Sequence, residues 1–267
     1  MRKMWTAGVG LVVGALLVAG VAVAAPSQIN TYNVIGSVSG AKGATKKKPK
    51  PVKLNFDYTV GEEHNLRPSV VVKYSIFFEG GQVNNTAFKG CDAKKLNAPG
   101  NDLSVCPKGS IVGGGLIRNK TGQTIDPADI NTALACNLHI TLVNSTQKNH
   151  FLIWLNGQPK DPDVTQRCAI QIAQAIDGRF VRKTVAGLQG TALEFDVPGN
   201  LLHPTPGMSN AVVQVQSTIN RLVAKKHGKK VGFFEGFQCK PAQTVSVEFT
   251  QEAGLVKKTA TDTYKCS

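Results

Sequence analysis

The sequence predicts an all-β, disulfide-stapled domain: an antiparallel β-sandwich, jelly-roll-like or Ig-like, of about ten strands with one or two short helices. Three observations carry this. Apolar and polar residues alternate at period two along most of the chain. Turn-forming residues punctuate those runs. Six cysteines, Cys91, Cys106, Cys136, Cys168, Cys239 and Cys266, all follow an export-type N-terminus, and an even number of cysteines in an exported chain implies disulfides.

At the N-terminus, Arg2 and Lys3 precede a charge-free run from Met4 to Val21, and Ala22-Val23-Ala24 supplies the small residues of a cleavage site. Residues 1–24 therefore read as a signal peptide and 25–267 as one β-sandwich domain. The rival reading is a retained anchor, since an apolar run of about 20 residues can span a bilayer. Gly8, Gly10, Gly14 and Gly20 weaken that reading.

Strand candidates follow in order: Tyr32 to Val38, Leu54 to Val60, Val70 to Phe78, Ile111 to Ile117, Leu138 to Val143 and Phe151 to Leu155. Then come Thr191 to Val197, Val213 to Val223, Val231 to Phe237, Val245 to Phe249 and Leu255 to Thr261. In the longest, Val213, Val215, Ile219 and Val223 share one face, opposite Gln214, Gln216, Thr218 and Asn220. Asn156-Gly157 and Asp177-Gly178 read as hairpin turns. Asp126-Pro127-Ala128-Asp129 has the order of a helix start and predicts a short helix through Leu134, with a single further turn at Asp92 to Leu96. Val164 to Ile176 fits either period and is taken as strand. The segment 232–267 is a possible disulfide-closed sub-domain, although about 36 residues make a meagre core alone, so its strands are expected to join the same sheets.

Neighbour pairing of the cysteines is the simplest of the fifteen possible arrangements: Cys91–Cys106, Cys136–Cys168 and Cys239–Cys266. In the chain-entropy picture each bridge stabilises the fold by about 3–4 kcal/mol. No Cys-x-x-Cys or His-x-x-x-His occurs, and the residues predict no metal site and no cofactor.

The stretch VCPKGSIVGGGLI, Val105 to Ile117, holds a lysine, a serine and four glycines. A phosphate-binding P-loop requires Gly-x4-Gly-Lys-Ser/Thr ahead of a helix, and here the lysine precedes the glycine run and the continuation is strand-like. The better reading is a cystine-anchored turn entering a strand whose glycines allow a bulge or a close backbone approach. The Gly-x-Ser-x-Gly elbow of serine hydrolases is absent. Neither Ser110 nor Ser209 has a comparable setting, and His64, His139, His150, His203 and His227 show no local cluster. Glu62, Glu63, Asp92, Glu194 and Glu235 give no pairing that a glycosidase would need. Asp161-Pro162-Asp163 and Asp126/Asp129 match no calcium loop. The sequons at Asn84, Asn119 and Asn144 are as frequent as composition alone gives.

Charge is the strongest functional signal. The chain carries +14, and loss of Arg2 and Lys3 leaves +12, which favours anionic partners. Two clusters stand out. One is the Lys/Pro-rich loop 40–51, expected to be mobile, with Lys46, Lys47, Lys48 and Lys50. The other holds Arg221, Lys225, Lys226, His227, Lys229 and Lys230. At one end of the domain they would form an anion-binding rim; apart, each is ordinary solubilising charge, and the separated arrangement is the one expected. Trp154 is the lone tryptophan after the signal, and no aromatic RNA-binding pattern occurs, which argues against nucleic acid.

Leu66-Arg67-Pro68-Ser69, Lys73-Tyr74-x-Ile76-x-Phe78, Phe88-x-x-Cys91, Cys106-Pro107-x-Gly109-Ser110-x-Val112-Gly113-x-Gly115 and Glu194-Phe195-Asp196-Val197-Pro198 occur in that order. This series resembles a set of uncharacterised secreted proteins of actinobacteria, predicted to be exported. The resemblance implies export, disulfides and a β fold, and transfers no activity. The expected function is that of an exported, non-catalytic protein of the cell envelope that contacts an anionic cell-wall polymer or polysaccharide through its basic loops. The alternative is a secreted hydrolase with a site assembled from separate strands.

Overall fold

A computed structural model describes residues 28–157 and 168–267. The expected signal peptide, Asp161-Pro162-Asp163 and the first residues of the 164–176 segment lie outside the described residues. The architecture is all-β. The main strands are β1 (Asn30–Ser39), β2 (Lys53–Glu62), β3 (Val71–Glu79), β4 (Ile111–Gln123), β5 (Leu138–Asn144) and β6 (His150–Gly157). They continue with β7 (Ile172–Val185), β8 (Leu188–Asp196), β9 (Met208–Ile219), β10 (Gln243–Gln251) and β11 (Lys257–Tyr264). All join one antiparallel sheet in the order β1-β2-β9-β4-β5-β6-β7-β8-β3-β10-β11, with the two-residue strand Leu134–Ala135 beside β4.

The expected two-sheet sandwich is not what forms. The single sheet curls until its edge strands β1 and β11 lie side by side, giving a nearly closed barrel. The inward/outward alternation of a sandwich and of a barrel is the same. Along β2, Leu54, Phe56, Tyr58 and Val60 are buried while Lys53 and Thr59 are exposed. Closure is completed without a full hydrogen-bond ladder. The Gly36 N–H donates to Asp262 Oδ2 at 3.2 Å. A Cβ on Gly36 would lie 2.7 Å from Val245 Cγ1, so glycine lets β1 come close to β10. At the end of the seam, the N–H groups of Gly40 and Ala41 both donate to the Ser267 carbonyl. That terminus is held by Cys239–Cys266; the other two bridges are Cys91–Cys106 and Cys136–Cys168.

Several local expectations change. Asn156-Gly157 and Asp177-Gly178 are not turns: Gly157 pairs with Ile172, and Asp177-Gly178 pairs with Leu152-Phe151. A Cβ on Gly157 would sit 2.2 Å from Leu138 Cδ2, so that glycine serves close packing. The β7–β8 hairpin turns at Ala186-Gly187, both with positive φ. No helix runs from Asp126 to Leu134. There the Arg67 N–H donates to Ala128 O and the Ile130 N–H to Asn65 O, while Asp129 accepts from the Asn131 N–H. Pairing with the 65–67 segment replaces the helical ladder. Asp92 does cap a single turn, α1 (Ala93–Leu96), and a second, α2 (Gly199–Leu202), lies at the opposite end. In β9 a bulge between Val212 and Gln214 resets the alternation. Val212, Val215 and Ile219 therefore line the interior, and Val223 is exposed in a separate hairpin.

The glycine run of the 105–117 stretch is a close approach. A Cβ on Gly113 or Gly115 would lie 1.9 Å from the carbonyl oxygens of Thr218 or Gln216 on β9. The 40–51 segment is a folded turn, with Ala41 and Ala44 buried and a Thr45–Lys48 bridge. The segment from Gly232 onward supplies β10 and β11 to the main sheet.

Candidate functional site

The strand registers place each described loop at one of two barrel ends. The end reached by Ser39, Glu79, Asn144 and Ile219 carries the turns 40–52, 80–110, 145–149, 186–187 and 220–242. Both lysine-rich clusters therefore share one end, contrary to the separated arrangement expected. They touch: Lys50–Pro51 pairs with Glu235-Gly236, and Gly232 packs on Pro51. Lys46, Lys47, Lys48, Lys50, Lys225, Lys229 and Lys230 are exposed there, and Lys226 is half-buried. Lys46 Nζ donates to Gln189 Oε1 at 2.7 Å, and Lys226 Nζ to Thr86 Oγ1 at 2.9 Å.

Beside the hairpin of Val223–Lys226 and Lys229–Gly232 lies a groove of about 610 Å³. Its cations are Lys148, Arg179, Arg182 and Lys226, with Asn84, Asn85, Thr86, Asn149 and Thr191 as neutral polar neighbours. An adjoining hollow of about 290 Å³ shares Arg182 and leads past Lys183 to Gln189, where Lys46 is bonded. The groove floor is held from below. Asn85 Nδ2 donates to Gln147 O at 2.7 Å, and Asn85 Oδ1 accepts from the Asn149 N–H. Buried Asn144 donates to the carbonyls of Asn85, Phe88 and Lys89. Buried Glu235 accepts from Gln82 Nε2, Asn84 Nδ2 and the Gly232 N–H, each at 2.8 Å. Glu235 thus orients Asn84 without neutralising a groove cation.

The sequence singled out Lys226 and its neighbours but missed Lys148, Arg179 and Arg182. Those three come from a turn and from β7, and only the curl of the sheet brings them beside Lys226. The loops of the opposite end have the other sign, with Glu63, Asp126, Asp129 and Glu252 in them and Glu62 and Lys257 at the strand ends beside them. Arg67, 1% exposed, is the sole lysine or arginine among the described residues of those loops.

One constellation has the composition of a hydrolase site. At the acidic end, Ser209 Oγ lies 3.3 Å from His203 Nδ1, and His203 Nε2 lies 2.7 Å from Glu252 Oε1. The same Nδ1 is 3.2 Å from the Met208 carbonyl, which accepts only from an N–H. Hydrogen bonding to Glu252 raises the His203 pKa. The carbonyl of Met208 requires a hydrogen on Nδ1, so that nitrogen has no lone pair to take a proton from Ser209. Ser209, 3% exposed, is also bonded to Thr124 Oγ1 at 2.7 Å. The cluster is a structural clasp, not an activated nucleophile.

The carboxylates flagged in the sequence are dispersed. Glu62 accepts from the backbone N–H groups of Ile29, His64 and Leu66, Asp92 caps α1, and Glu194 pairs with Lys183 at 3.2 Å. Among the described residues no group of three His, Cys, Asp or Glu side chains could hold a metal ion. Asn119 and Asn144 are buried, which removes two of the three sequons from the surface. Among the described residues no helix is long and apolar enough to cross a membrane. The chain matches no family model, and comparisons with curated proteins and with solved structures likewise found no match.

Proposed function

We propose that this is an exported, non-catalytic protein of the cell envelope that binds an anionic polymer on the basic end of its barrel. The observation that carries the reading is the placement of both lysine clusters at one end of the barrel, where Lys226 lines one groove with Lys148, Arg179 and Arg182, while the loops of the opposite end are acidic. Three disulfides fit an oxidising compartment, and the N-terminal apolar run accounts for export. Extended polyanions suit such a site because several separated cations contact successive anionic groups at once. Neighbouring charges also focus the field over the groove.

The test is retention of the purified chain, disulfides intact, on immobilised heparin and on a neutral polysaccharide at about 50 and 500 mM salt. The reading requires retention on heparin at low salt, loss at high salt, and an Arg179→Ala/Arg182→Ala variant that elutes earlier. Equal elution of that variant and the parent would overturn the groove as the site.

A further inference from the structure

The hollow beside the basic groove has a chemistry that binding of bare charge does not require. Its lining brings Arg182, Thr184 and Gln189 of the β7–β8 hairpin together with Phe237, while Gly81 and Gly190 add no side chain. Its volume of about 290 Å³ is close to the lower bound of small-ligand pockets, about 300–1,000 Å³. Arg182 lines both the groove and the hollow, so an anion held by it in the groove lies beside whatever fills the hollow.

Phe237 stands apart from the other aromatic residues. Among the described residues only Tyr32, Phe88, Phe195 and Phe237 are half-buried, and every other aromatic side chain is buried. The first three pack on the core and each on a ring: Tyr32 on Phe249, Phe88 on Phe233 and Phe195 on Tyr74. Phe237 packs against none of the core clusters and has no ring partner among the described residues. A phenyl left half in water stabilises the fold little, because burial counts only the area removed from water. The polar groups near it have unused capacity. Among the described residues the Arg182 guanidinium and the exposed Thr184 hydroxyl make no hydrogen bond or ion pair, and Gln189 uses only its Oε1, which accepts from Lys46 Nζ.

We propose that the hollow is a sugar subsite and that the polymer bound at the basic end is an anionic glycan, a chain of sugar rings bearing acidic groups. The inference rests on the groove reading and adds ring recognition to it. A bare polyanion needs the arginine alone. A sugar ring uses the whole lining: its C–H face packs on the phenyl of Phe237, and its hydroxyls bond to Gln189 Nε2 and the Thr184 hydroxyl. The acidic group of the same or the next ring meets the Arg182 fork.

The experiment is calorimetric titration of the purified chain, disulfides intact, at about 50 mM salt. Three ligands matched in charge are compared: a short heparin oligosaccharide, linear polyphosphate and a single-stranded oligonucleotide. Phe237→Ala should weaken the oligosaccharide about tenfold, as uncovering half a phenyl gives, and leave polyphosphate binding unchanged. Phe237→Trp, which keeps an aromatic face, should bind the oligosaccharide like the parent, and Arg182→Ala should weaken both ligands. If the parent binds these polyanions and Phe237→Ala weakens none of them, the sugar subsite is overturned while the groove reading stands. Equal losses for oligosaccharide and polyphosphate would also overturn it, since Phe237 would then act through the fold. A larger loss for the oligonucleotide than for the oligosaccharide would replace the glycan by stacked bases. Failure of the parent to bind any of the three would sink the groove reading itself, and the subsite with it.

Discussion

Gly115 shows how one residue's missing side chain sets the wall of the barrel. Its position opposite Ser217 on β9 leaves no room for a Cβ, which would meet the Gln216 carbonyl at 1.9 Å. Gly115→Ala is expected to destabilise the fold by about 3 kcal/mol or more, because backbone on both strands must shift; the urea midpoint measures this. His203 gives a second prediction, in pH. Its folded pKa lies above the ordinary 6.5 because of the hydrogen bond to Glu252, opposed by partial burial and, least, by Arg67. A raised folded pKa means stability that is fully present below about pH 6.5 and is lost as pH rises through the folded value. The thermal midpoint should therefore fall as pH rises above about 6.5, and His203→Ala should flatten that fall. An unchanged slope in the variant would contradict the clasp.

At the scale of elements, the most vulnerable joint is the β1/β11 seam. It has a side-chain contact from Asp262, the packing of Gly36 on Val245, and backbone bonds to the C-terminal Ser267. Cys239–Cys266 holds that terminus against the loop leading into β10. Replacing both cysteines by alanine is expected to cost about 2–4 kcal/mol. It should also accelerate amide exchange first at Gly40 and Ala41, whose acceptor is Ser267 O. Unchanged exchange at those two amides would show that the seam does not rely on the bridge.

Much of this level was legible in the sequence. Period-two patterns located the main strands, with β7 taken only in part, and neighbour pairing of the cysteines matches the structure. The misread elements have a common cause. Asn156-Gly157 and Asp177-Gly178 have hairpin composition, but their glycines answer to Leu138 and Leu193 on the neighbouring strands. Asp126 to Leu134 has helix-start composition, yet the partners of its backbone lie on the 65–67 segment. In each case a long-range contact overrode a local preference.

For the whole molecule, the sandwich expectation failed because alternation encodes only which side chains face inward, and one curled sheet or two packed ones satisfy it equally. The distribution of charge followed from the same closure. Net charge was readable from composition, but its separation between two ends depends on which turns the registers bring together. Lys148, Arg179 and Arg182 carried no signal in the chain, since nothing in their local sequence relates them to Lys226.

The most direct measurement is therefore a map of where a polyanion sits on the intact protein: amide hydrogen exchange with and without long-chain polyphosphate at low salt. Protection concentrated at 84–86, 148–149, 179–182 and 225–230, and abolished at about 500 mM salt, is the predicted result. Protection at the acidic end, around 62–67, 126–130 and 252, or none at either end, would contradict the account.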